Sequence, residues 1–111
     1  MAIQKSYVDV YGATHADAYT RVESVYVTNS SVEIQILIYH NAAARSKSDS
    51  SAMKQALVME NTTITGSDYD TYFADSVLKA DTKSPVVQAY AWLKAQSNYI
   101  ETNWTTGTTD V

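Results

Sequence analysis

A chain of 111 residues, 45% of them hydrophobic and 18% charged, has room for one domain built on one core. Its formal charge of -4 and its lack of a basic tail disfavour broad attraction to nucleic acid or an anionic membrane, and its apolar content argues against disorder. The absence of cysteine excludes disulfides, iron–sulfur clusters and thiolate zinc sites.

Residues 1–20 carry Lys5, Asp9, His15 and Asp17 with no sustained apolar run, so no signal peptide is expected. The longest strongly apolar stretch, 34–39, is interrupted by Gln35 and is too short to span a bilayer. Residues 1–18 hold only short β-like pieces around Tyr7 and Val8 and few apolar anchors. They are expected to form an extended arm or edge element.

Residues 19–27 (YTRVESVYV) are rich in β-branched and aromatic types, as strands prefer. Thr28, Asn29, Ser30 and Ser31 supply turn chemistry. In 32–40 (VEIQILIYH) the residues Val32, Ile34, Ile36 and Ile38 alternate onto one aliphatic face, with Glu33, Gln35, Leu37 and Tyr39 on the other. A hairpin over 19–40 follows. A short helix within 41–50 and a third antiparallel strand over about 53–64 are expected next, the latter despite the helix-favouring MKQALVME run at its start.

After Gly66, the spacing of Tyr69, Tyr72, Phe73, Ser76 and Val77 predicts one short helix capped by Ser67 or Asp68. Ser84 and Pro85 mark the start of a stronger helix, about 85–97, because proline at the first position forfeits no intrahelical bond. Its stripe of Val86, Ala89, Tyr90, Leu93 and Ser97 should cover the aliphatic sheet face. Residues 98–111 read as a Thr-rich tail. The whole is a single α+β domain: a small antiparallel sheet covered by a C-terminal helix, with an extended N-terminal arm.

No residue pattern points to catalysis, a metal or a cofactor. His15 and His40 stand 25 positions apart without ligand spacing, and His40 simply marks a sheet edge beside Asn41. The serines lack a G-x-S-x-G elbow, and Gly12, Gly66 and Gly107 are too scattered for a phosphate loop. Asp68, Asp70 and Asp75 lack the other ligands of a calcium loop and suit acidic helix starts better. Arg45, Lys47 and Lys54, with Asp49 among them, read as a wet loop, not a nucleic-acid surface. The N-x-[ST] triplets at Asn29, Asn61 and Asn103 are not read as glycosylation sites without a secretory signal.

The aromatic balance is unusual: nine Tyr and two Trp against one Phe. Both types join an apolar body to a polar tip and are enriched where proteins meet, although tyrosine also suits half-buried strands. Tyr7, Tyr11, Tyr99 and Trp104 fall outside the predicted core and are the candidate interface residues.

From Tyr19 onward, about four fifths of its length, the chain resembles a family of small structural proteins encoded by tailed bacteriophages. The resemblance is carried by Tyr19-Thr20-Arg21-Val22, Tyr69-x-x-Tyr72-Phe73-Ala74 and Ser76-Val77-Leu78. It continues through Ser84-Pro85, Gln88-Ala89-Tyr90-Ala91-Trp92-Leu93-Lys94 and the ending Gly107-Thr108-Thr109-Asp110-Val111. Where such proteins have Pro-Glu-Phe after the helix, this chain has Asn98-Tyr99-Ile100-Glu101 and then an extra Thr-rich stretch, so its C-terminal docking surface is expected to differ.

The resemblance implies a non-enzymatic virion component present in several copies. Its partners would be other tail, baseplate or fibre proteins, with a capsid cement protein on the major capsid protein as the alternative. A small phage-encoded enzyme or regulator is the lesser alternative. Synthesis in the host cytoplasm and a final place in the virion go with that reading, as does the lack of any nucleic-acid or membrane partner.

Overall fold

The computed structural model describes residues 2–45, 56–80 and 84–111. Its strands are β1 (Ile3–Gln4), β2 (Tyr7–Val8), β3 (Thr14–His15), β4 (Tyr19–Val27), β5 (Val32–Tyr39), β6 (Ala56–Ile64) and β7 (Thr109–Asp110). Its helices are α1 (Ala42–Arg45), α2 (Gly66–Tyr72), α3 (Asp75–Ala80) and α4 (Pro85–Lys94). A five-stranded antiparallel sheet runs in the order β6-β5-β4-β1-β7, and β2 and β3 form a separate two-stranded ribbon. The α+β class and the hairpin read from the sequence are present.

The hairpin forms where alternation and turn chemistry agree. Thr28 N–H donates to the Ser31 carbonyl (2.8 Å), and Ser31 N–H donates to Thr28 Oγ1 (3.0 Å), which closes the turn from both backbone and side chain. Val32, Ile34, Ile36 and Ile38 are buried in one cluster with Ile3, Val22, Phe73, Ala89, Tyr90, Trp92, Leu93 and Trp104. Leu37 and Tyr39, on the opposite face, are buried as well.

Across β4 and β5 the register slips between Val22 and Ser24. A bulge takes backbone groups out of the ladder, and the Val22 N–H donates instead to the Tyr90 hydroxyl of α4 at 2.9 Å. Burial raises the Tyr90 phenol above its ordinary pKa and so keeps it neutral for this contact.

Helix α4 begins as its sequence requires: Ser84 Oγ accepts from Val87 N–H (3.1 Å), with Pro85 next to the cap. It ends at Lys94, not near 97, where the Ala95 and Gln96 amides turn back onto the Trp92 and Leu93 carbonyls. Its buried face is Gln88, Ala89, Tyr90, Trp92 and Leu93, while Val86 stays exposed. The stripe is rotated from the expected one because Trp92 and Gln88 have partners there: Trp92 Nε1 donates to Asp68 and Gln88 Nε2 to the Tyr72 carbonyl.

The single helix expected after Gly66 is two. Fully buried Phe73 ends α2, and the chain restarts at Asp75, whose carboxylate suits a helix start and pairs with Lys79 at 3.0 Å. Neither Ser67 nor Asp68 is the cap; Thr65 holds that position, with no side-chain cap bond. Of the expected third strand, residues 53–55 lie outside the described residues, as do 46–50 of the expected crossing helix.

Both termini differ from the peripheral segments expected. Residues 2–18 are not an extended arm: β1 is an inner strand with β4 on one side and β7 on the other, and Ala2 and Ile3 are fully buried. Residues 98–111 are not a loose tail. Ala2 and Val111 exchange two backbone hydrogen bonds of 3.0 Å, and Lys94 pairs with Asp110 at 3.2 Å. The sequence signal was weak because each strand has two residues and is held by partners distant in the chain.

Candidate functional site

The four candidate aromatics separate into different environments. Tyr7 and Trp104 belong to the core, a correction to the reading that placed them outside it; Trp104 is 1% exposed and its indole N–H donates to the Tyr99 carbonyl at 2.8 Å. Tyr99 is half-buried, its ring set edge-on to Trp92 at 5.2 Å and its hydroxyl bonded to Thr62 Oγ1. Burial, followed by the charge of Glu60, raises its phenol pKa against the lowering effect of the Thr62 bond. Tyr11 alone of the four stands free, 92% exposed.

Tyr11 owes its place to the loop that joins β2 to β3. Asp9 Oδ1 accepts from the Tyr11 and Ala13 amides (2.9 and 3.0 Å), and the Asp9 amide donates to the Ala13 carbonyl (2.9 Å). Gly12 supplies the left-handed residue, φ +83°, that the turn needs. The loop therefore folds inward around Asp9, and Val8, Val10 and Tyr11 project from it into solvent.

Behind the tip lies a contact that linear spacing concealed. Asp9 Oδ2 meets His15 Nε2 at 2.9 Å, and His15 Nδ1 meets His40 Nδ1 at 2.9 Å. The ribbon is thereby tied to the end of β5. The bond from His15 holds the Asp9 carboxyl below its ordinary pKa, assisted by the Ala13 and Tyr11 amides and opposed by burial. The residue types were visible in the sequence, and the β4–β5 pairing of Tyr19 with Tyr39 sets His40 beside the stretch just before β4, although the two histidines are 25 positions apart.

Among the described residues, no three His, Cys, Asp or Glu side chains group to hold a metal ion, and neither imidazole is bonded to a serine or threonine hydroxyl. Asp68 accepts from Trp92, and Asp75 pairs with Lys79. Lys47 and Lys54 lie outside the described residues. A shallow groove across β4, β5 and β6 is lined by residues that include Ser24, Tyr26, Glu33, Ile34, Gln35 and Thr62. No described helix is long and apolar enough to cross a membrane.

Comparison with protein-family models, curated proteins and solved structures finds no match to this chain.

Proposed function

We propose that this chain is a non-enzymatic structural component of a tailed-phage virion, an adaptor in the tail, baseplate or fibre-attachment region, and that it docks through the tip of the β2–β3 ribbon. The observation that carries the docking surface is the pairing of exposure with order. Val10 and Tyr11 are 83% and 92% exposed on a loop whose amides are already bonded to Asp9. An isolated surface apolar residue needs no explanation. Adjacent ones on a pre-ordered loop offer contact area at little further entropic cost, as interface anchors do. The virion assignment is supported by the motif resemblance from Tyr19 onward.

The test is gold-labelled antibody on purified particles, with wild-type chain and the Tyr11→Ala variant supplied in turn. The expected outcome is label at the tail end for wild type and a loss on the order of tenfold or more for the variant, as for an interface hot spot. The variant's melting temperature should not change, because an exposed side chain contributes within about 0.5 kcal/mol of nothing to folding. Label over the head would overturn the adaptor in favour of a cement protein. With epitopes accessible, no label would overturn the virion assignment itself.

A further inference from the structure

We propose that His15 and His40 form a proton-operated latch that fixes the β2–β3 ribbon tip to the end of β5 and releases it in acid. The ring centroids are 5.0 Å apart and the Nδ1 atoms 2.9 Å apart, so both nitrogens lie close to the line between the rings. That is the geometry of an N–H···N bond. Two ligands of one ion would instead bend toward a common apex. The ribbon is a sheet of its own, and this side-chain contact, carried on to the tip by the His15–Asp9 bond, joins it to the end of β5 in the main sheet.

Counting protons gives the latch its direction. An ionised carboxylate only accepts, so His15 Nε2 carries a proton toward Asp9. In the neutral pair His15 Nδ1 is then the acceptor and His40 Nδ1 the donor. One added proton, taken up at His40 Nε2 as the bridging proton passes to His15 Nδ1, makes His15 an imidazolium that donates to the Nδ1 of a neutral His40, a charge-assisted bond that holds. A second added proton puts hydrogen on both Nδ1 atoms and charge on both rings. No acceptor is left, and the contact opens.

The open form binds more protons than the closed one, so lowering the pH favours opening. The neighbouring groups do not supply another switch in that direction. Tyr7, opposite His15 in the ribbon, has its phenol pKa raised by burial, then by Glu101 and Asp9, and stays neutral. Asp17 is engaged by Gln4 at 3.2 Å, and Tyr19 lies opposite Tyr39 beside His40. The carboxyl of Asp9 is held below its ordinary pKa by its bond to His15 and so stays ionised as an acceptor. Its support of the loop is complete above the unfolded value of 3.8 and is lost as pH falls through the lower folded one.

The test is NMR of the full chain from about pH 8 to about pH 4.5, a range that spans ordinary imidazole titration. It follows the imidazole nitrogens together with amide exchange at Tyr11, Gly12 and Ala13. Two separated protonation steps are expected, and tip protection should fall on the order of tenfold with the second. In His40→Gln, whose side-chain amide donates to His15 but does not titrate, protection should stay flat over the same range. Flat protection in wild type, or an equal fall in His40→Gln, would overturn the latch. Should His40→Gln not fold, the wild-type nitrogens decide alone: coincident, independent curves overturn it and separated ones support it. No partner enters the measurement, so the latch and the docking proposal fail separately.

Discussion

Thr20 Oγ1 is a hydroxyl in the wrong place for water. The residue lies on the core face of β4 between Ile3 and Ile38, is 1% exposed, and has no hydrogen-bond partner for that oxygen among the described residues. An unmade buried hydrogen bond costs about 1–3 kcal/mol, and valine keeps the branched shape without the hydroxyl. Thr20→Val should therefore raise stability by about 1 kcal/mol, or roughly 4 °C in melting temperature. A lower melting temperature would mean that the oxygen is bonded. At this scale the sequence was a poor guide to the aromatics. Tyr7 and Trp104 sit in segments without periodicity, and nothing local says that both are buried in the core while Tyr11 is held in solvent. Ile100 and Glu101 show the same limit: their φ values of 51° and 53° form a tight turn between Tyr99 and Thr102 that usually selects Asn and Gly.

At the scale of elements, the readable features were those specified by neighbours in the chain. Ser84 and Pro85 start α4 through a bond only three residues long, and the Val32-to-Ile38 alternation needs nothing but its own period. The β6 strand contains Ala, Leu, Met and Glu, yet pairing with β5 along its length outweighs their helical preference. Features set by packing were harder to read, such as the break at Phe73 and the rotated face of α4. The bulge in β4 combines both kinds, because Tyr90 is positioned by the helix but serves an amide of the sheet. Replacing Tyr90 by Phe keeps the ring and leaves the Val22 amide buried without its acceptor. A loss of about 1–3 kcal/mol in denaturant unfolding is expected, with an unchanged m-value. Stability equal to wild type would show that the amide finds another partner.

For the molecule as a whole, the question is whether the ends are attachments or structure. The sheet closes through them: β1 has β4 on one side and β7 on the other, while Lys5 Nζ reaches the Thr106 carbonyl at 2.7 Å. Removing residues 1–6 would delete an inner strand, uncover the Thr20 side of β4 and take Ile3 out of the core. Losing one fully buried aliphatic side chain costs about 2–5 kcal/mol, against a typical total of 5–15 kcal/mol for a domain. The lost strand pairing and the Ala2–Val111 bonds add to that loss. The truncated chain should lose its cooperative melt by circular dichroism and become readily cleaved by protease at 37 °C. Removing residues 109–111 instead strips only an outer strand whose Thr109 and Asp110 are exposed, so it should lower the melting temperature while leaving a cooperative transition. An unchanged melt after the first truncation would restore the N-terminal segment to the status of an arm. The contrast between the two truncations is the informative quantity. It follows from the order of strands in the sheet, which two-residue segments at opposite ends of the sequence could not reveal.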